Sequence, residues 1–184
     1  MGMSRAHICM TGAILSLPER DCFFTTQKGS RKDRKQFAME MKYCVQACVT
    51  LSNYMDYINI VMVGLLCNNH ILQTVLSGDT SLIVWRQLGD LVNSSTALGL
   101  HGQHDDDDDD EKLTFLTHMR RQLFTVVFNL DKSASLMTGR PPALSCRYIR
   151  FQLPMDVDLE LWQEGEEAVE RALQALDQNG VSTY

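Results

Sequence analysis

The chain has 184 residues, of which 45% are hydrophobic, 22% charged and 8% aromatic, and its formal net charge is −6. These fractions are ordinary for one globular domain, and the acidic balance argues against a chain that binds nucleic acid over its whole surface. The longest apolar run, residues 60–67, is far shorter than the ~20 residues that cross a bilayer, so we predict no membrane contact.

Residues 1–35 show no sustained hydrophobic periodicity and end in a basic stretch, residues 28–35. That stretch could be a nuclear-import signal or a nucleic-acid contact, but a solvated linker has the same composition. We predict that residues 1–35 form a poorly ordered basic segment and that residues 36–178 form a helical domain.

Apolar residues recur at alternating spacings of four and three from Phe37 to Met55, which predicts a helix with one apolar face. Cys44 and Cys48 lie one turn apart on this face. They could bind a metal with ligands from elsewhere, but we interpret them as small core residues. None of the six cysteines belongs to a CxxC pair, so we expect reduced thiols and no structural zinc in this chain.

Two further helices are predicted in the first half of the chain. Residues 56–76 are apolar nearly all round, which predicts a helix that is buried on most sides. A third helix is predicted over residues 80–98, ending at Gly99 in a left-handed turn. The residues predicted to face inward on this helix are Leu82, Trp85, Leu88, Val92 and Ser95.

Asp105 to Asp110 form a run of six aspartates, which mutual repulsion keeps in solvent. His101 and His104 stand beside the run and suggest a metal site. A flexible loop is a poor cage for an ion, so we do not expect specific metal binding there.

A fourth helix is predicted over residues 112–138, where Leu116, Leu123, Val127, Leu130 and Met137 keep helical spacing. Gly139 should end it, and the two prolines that follow prevent its resumption. Residues 143–158 could be a short strand, but the sequence shows no partner strand, so we predict an extended strap laid over the helices. Residues 159–177 are predicted to form a final acidic helix. The predicted fold is therefore all-α, an irregular domain of about five helices with an extended strap after the fourth.

Several short motifs follow one another in a fixed order. They are Trp85, Leu98-Gly99-Leu100-His101, Arg120-Arg121-Gln122-Leu123-Phe124, Leu130-Asp131-Lys132, Gly139-Arg140-Pro141-Pro142-Ala143-Leu144 and Leu153-Pro154. This series resembles the fungal-specific transcription factor domain, the middle homology region of zinc-binuclear-cluster regulators, in its xylanolytic-activator type. The resemblance covers about residues 40–165. Thr125 stands where the family usually has Trp, and Lys132 where Arg is common.

The resemblance implies a regulatory domain of a nuclear transcription factor that controls RNA polymerase II transcription and does not itself contact DNA. The alternative is a helical protein-interaction module, or a remnant without DNA-binding activity. In the family, DNA is bound by a six-cysteine cluster that holds two zinc ions, and this sequence lacks that pattern. We therefore expect zinc and DNA only through a separate module and expect the chain to be a fragment. The expected partners are proteins or a second copy, with a small-molecule effector as a further candidate.

The motif residues are interpreted as structural. They are Gly99, His101, Arg120, Arg121, Asp131, Gly139, Arg140 and Pro141. We expect Asp131 to pair with Arg121 or Arg140 and thereby to fix the strap on the fourth helix. The alternative is a polar pocket that senses a small ligand. Histidines at 70, 101, 104 and 118 could act as bases, but no catalytic motif accompanies them, so no enzyme activity is predicted.

The second helix needs neighbours on most of its sides, and the family domain continues with further helices. We therefore expect an exposed apolar surface larger than a monomer normally shows, and hence self-association.

Overall fold

The structure is a computed structural model that describes residues 33–102, 114–158, 160–177 and 180–181. Over these residues the chain forms helices and no sheet, which confirms the all-α prediction. The helices are α1 (Arg34–Tyr54), α2 (Ile60–Ser77), α3 (Leu82–Ala97), α4 (Phe115–Thr138), α5 (Leu161–Glu164) and α6 (Glu166–Gln174), with a 3-10 turn at Cys146–Tyr148. The predictions for residues 1–32 and for the aspartate run lie outside the described residues.

Local sequence signals set several of the helix ends. The side chain of Asn59 accepts a hydrogen bond from the Met62 N–H at 2.8 Å and begins α2, and Thr114 accepts one from the Thr117 N–H at 3.2 Å and begins α4. Gly139 ends α4 with a φ of 67°, and Gly99 follows α3 with a φ of 70°. Both lie in the left-handed region that a residue with a Cβ enters only with strain, so the two predicted stops are confirmed.

The core lies where α2, α3 and α4 meet. Its buried members are Val63, Leu66, Cys67, Leu88, Leu91, Val92, Leu100, Leu123, Phe124, Val127 and Leu144. Burying one such large apolar side chain contributes about 1.5–3 kcal/mol.

The predicted inner faces of α3 and α4 are only partly correct. On α3, Leu88 and Val92 are buried as predicted, but Leu82 is 57% exposed. On α4, Leu116 and Met137 are 53% and 66% exposed. The errors fall in the first or last turn of each helix, and the described residues leave these positions uncovered.

α2 is an interior helix that contacts α1, α3 and α4. α2 is long and apolar enough to cross a membrane. The core helices of globular proteins often have the same length and composition, so this alone is weak evidence for a membrane span. The apolar surface of α2 is not fully covered by the described residues, because Val61 and Val75 are 52% and 59% exposed. The prediction of burial on most sides therefore holds for its central turns and fails at both ends.

α1 packs on α2 along one narrow side. That side consists of the half-buried residues Lys42, Val45, Val49 and Ser52, of which Val49 reaches the core. The predicted core residues Cys44 and Cys48 are exposed instead, and Leu51 and Met55 are 63% and 65% exposed. The interpretation of this apolar face as a core face is therefore wrong, because the helix turns a different side to α2.

Residues after α4 form the expected extended strap. Its Arg150 N–H donates to the carbonyl of His101 at 2.9 Å, and the Phe151 ring stands edge-on to Phe124 with 4.8 Å between ring centroids. The prediction of a single C-terminal helix is wrong, because the structure has two short helices there. Gly165, with a φ of 111°, divides the predicted helix into the short α5 and the nine-residue α6.

Candidate functional site

Several of the motif residues meet where α4 ends and the strap begins. We call this region the strap junction and define it as Trp85, Asp131, Lys132, Arg140 and Leu144. Asp131 is its centre: it lies two turns before the end of α4 and its side chain is 0% exposed. Helical geometry places it beside the chain that returns from Gly139.

The Asp131 carboxylate binds the backbone of the strap. Its Oδ1 accepts from the Ala143 N–H at 2.8 Å, and its Oδ2 accepts from the Leu144 N–H at 3.0 Å. The Lys132 ammonium lies 3.0 Å from Oδ2 and also donates to the Leu144 carbonyl. Hydrogen bonds to an ionised group are the strong ones, so one side chain fixes the first turn of the strap on α4.

The predicted partners of Asp131 are wrong. The guanidinium of Arg140 lies over the Trp85 ring at 4.9 Å and so ties the strap to α3. Arg121 stands ten residues before Asp131 in the same helix, about 15 Å along its axis. Lys132 takes the ionic role instead, and its ammonium also lies 4.9 Å from the centroid of the Phe128 ring.

This geometry suits fixation better than catalysis. Asp131 is closed off from solvent and both of its oxygens are occupied by groups of the same chain. A general base needs a free oxygen within reach of a substrate proton. The arrangement supports the structural interpretation of the motif.

The remaining predicted residues are distributed around this centre. Gly99 and His101 lie at the end of α3, where the His101 carbonyl binds the strap through Arg150. Pro141 is an exposed residue at the start of the strap. Arg120 is exposed on α4 and lies more than two turns away from Asp131, so it does not join the strap junction.

A second buried contact was not predicted from the sequence. His118 on α4 is 0% exposed, its Nε2 lies 2.9 Å from the Gln122 amide nitrogen, and its ring lies 6.1 Å from that of Trp162 on α5. Burial lowers the pKa of His118, the Val157 backbone opposes this, and Arg121 adds to it. The spacing of His118 and Gln122, four residues apart, was the available signal.

A polar strip runs through the interior side of α2. It consists of Asn68, Asn69, His70 and Gln73, which are 9%, 4%, 2% and 2% exposed. Each carries one buried polar atom without a hydrogen-bond partner in the described part of the chain. Burial lowers the pKa of His70, and the charge of Asp79 and the Val84 backbone partly offset this. Sequence reasoning did not find the polar strip, because most residues of α2 are apolar and their periodicity dominates the sequence pattern of this helix.

Among the described residues, no group of three or more His, Cys, Asp or Glu could hold a metal ion. Burial raises the pKa of the Cys67 thiol to about 12, which makes it a poor ligand and a poor nucleophile. Cys44, Cys48 and Cys146 are free and exposed. The aspartate run considered above as a metal site lies outside the described residues.

Comparison with known proteins adds one finding. A family model described as a fungal-specific transcription factor domain matches residues 8–182, which include the whole strap junction and the polar strip. No curated protein and no solved structure matches the chain.

Proposed function

The chain belongs to the family of fungal-specific transcription factor domains, and from this premise we propose that it regulates RNA polymerase II transcription in the nucleus without contacting DNA itself. The family match over residues 8–182 is the observation that carries the proposal. The family is one of transcription factor domains and not of enzymes, so the buried histidines are not assigned a catalytic role.

The charge of the chain supports a role away from DNA. A protein that neutralises phosphates needs a basic face, whereas this chain carries a net charge of −6. We propose that DNA is reached through a zinc-cluster module attached to this domain. The domain then acts on transcription through protein contacts.

The strap junction gives such a domain a fixed shape. Asp131 holds the strap on α4 and Arg140 lies over a ring of α3, so the strap is tied to both helices. A regulatory surface built on these elements keeps its geometry when the domain is joined to other modules.

An effector role is the second candidate, and the polar strip favours it. Four neighbouring buried side chains on α2 have polar atoms that no described residue hydrogen-bonds, among them the oxygens of Asn68, Asn69 and Gln73. Buried acceptors are costly unless a donor reaches them. A small molecule bound beside α2 could donate hydrogen bonds to these oxygens through its N–H or O–H groups. An internal water molecule could donate to them in the same way.

A reporter experiment tests the main proposal. The chain is fused to an unrelated DNA-binding domain in a fungal host, and a reporter gene with the matching binding sites is measured. We expect reporter expression to differ from that given by the DNA-binding domain alone. Because the strap junction fixes the shape, Asp131→Ala in the same fusion should remove the difference.

The exposed Asp90 on α3 provides the matched control. Asp90→Ala should leave the reporter response unchanged, since the side chain that it removes is exposed. A folded fusion that gives the same expression as the DNA-binding domain alone would contradict the proposal. A gel shift with the unfused chain should show no sequence-selective DNA complex at physiological salt.

A further inference from the structure

One side of α1 is apolar and turned away from the other helices. We call it the α1 outer face and define it as Cys44, Cys48, Leu51, Tyr54 and Met55. All five residues are exposed, and Leu51, Tyr54 and Met55 are 63%, 86% and 65% exposed. Monomeric proteins seldom expose several large apolar side chains on one helix, so we interpret the face as an interaction surface.

The spacing of this face is that of a coiled-coil seam. Phe37, Met41, Cys44, Cys48, Leu51 and Met55 follow one another at intervals of four and three. This is a strict heptad, in which every member takes an a or d position. An ordinary helix on a globular core needs a broader stripe of period 3.6. Because this side of α1 is exposed, the pattern fits a second helix packed along it.

The absence of charged residues on this face indicates that the partner helix is a second copy of α1. No Asp, Glu, Lys or Arg occurs from Tyr43 through Met55, although the whole chain carries a net charge of −6. Two identical copies of this surface meet without repulsion, and the face offers no charge by which to select a different partner. We propose that the α1 outer face pairs with the same face of a second copy of this chain as a two-helix coiled coil.

The available area suits a weak, reversible pair. Aromatic side chains bury about 150–250 Å² each and smaller apolar ones about 100 Å², so the exposed fractions of Leu51, Tyr54, Met55 and the two exposed cysteines amount to roughly 400 Å². A symmetric pair then buries about 800 Å², which is in the range of weak and transient interfaces. We therefore expect a reversible dimer that forms only at high concentration of the chain.

The two exposed cysteines report how the helices are arranged. In a parallel pair, Cys44 faces Cys44 of the second copy. In an antiparallel pair centred on Gln46, Cys44 faces Cys48 of the second copy, because both lie two residues from the centre. Both arrangements bring thiols from the two copies together across the seam.

Sedimentation equilibrium over a concentration series tests the proposal on the full chain. The unmodified chain should shift from monomer to dimer, and Leu51→Glu should raise the dissociation constant at least tenfold by placing two carboxylates in the seam. The matched control is Leu136→Glu on α4, a site that is 88% exposed and outside the seam. It should leave the dissociation constant within about twofold of the original.

Cross-linking gives an independent readout. Cys9, Cys22 and Cys146 are replaced by Ser, and the buried Cys67 is retained. A short bismaleimide should then join two chains through positions 44 and 48, as mapped by peptide mass spectrometry. A chain that remains monomeric at about 100 µM, or a dimer that Leu51→Glu and Leu136→Glu weaken equally, would overturn the proposal. A monomer that binds another protein through this face overturns it as well.

Discussion

The strap junction and the α1 outer face differ in what surrounds their side chains. At the strap junction, Asp131 is 0% exposed and is bound by two backbone N–H groups and an ammonium of the same chain. On the α1 outer face, Leu51 and Tyr54 are 63% and 86% exposed. The first region contributes to the stability of the isolated chain. The second contributes little to it and is available for association.

Asp131→Ala should have the largest effect on stability. It leaves the buried Leu144 N–H and the partly buried Ala143 N–H without their acceptor and Lys132 without its carboxylate, which costs about 3–5 kcal/mol. Urea unfolding followed by tryptophan fluorescence measures the loss. Asp90→Ala, at an exposed site on α3, should stay within about 0.5 kcal/mol of the original. Equal effects of the two substitutions would show that the strap junction does not fix the strap.

A pair of leucine substitutions compares the two regions directly. Leu123 in the core is 7% exposed and Leu51 on α1 is 63% exposed. Leu123→Ala should cost about 2–4 kcal/mol in unfolding free energy, and Leu51→Ala less than about 0.5 kcal/mol, at concentrations where the chain is monomeric. A large loss with Leu51→Ala would mean that α1 is covered within the chain.

Removing the contact between Arg140 and Trp85 should have a smaller effect. Arg140→Gln takes the guanidinium from the Trp85 ring and should cost about 0.5–2 kcal/mol. Arg140→Lys keeps the charge but not the planar group, so it should recover only part of the loss. The exposed Arg86 on α3 serves as the control position. If Arg86→Gln were as costly as Arg140→Gln, the ring contact would not be the cause.

A change of pH is the mildest perturbation. Burial lowers the pKa of His118 and His70 below the ordinary value of 6.5, so the unfolded chain takes up these protons first as pH falls. Their neutral forms stabilise the fold fully above pH 6.5, and this contribution declines as pH falls toward the folded-state values. Unfolding free energies measured at several pH values should show the decline. A double variant, His70→Gln with His118→Gln, should show a smaller one. An unchanged slope would exclude the two histidines as its source.

Structural features that depend on neighbouring residues could be predicted from the sequence. Features that depend on contacts between distant segments could not. Gly99 and Gly139 end their helices as predicted, because a left-handed cap needs only the local chain. The partner of Asp131 could not be predicted, because it depends on the path by which residues 140–144 return over α4. The heptad of α1 identified an apolar face correctly, but periodicity carries no information about what covers that face.

Cys67 differs chemically from the other described thiols. It lies in the core among α2, α3 and α4 at 4% exposure, whereas Cys146 on the strap is exposed. An alkylating reagent can reach Cys67 only while the core is open. Under native conditions, the rate of its alkylation is therefore a measure of how often α2, α3 and α4 separate. Cys146 reacts without such an opening and supplies the reference rate within the same molecule.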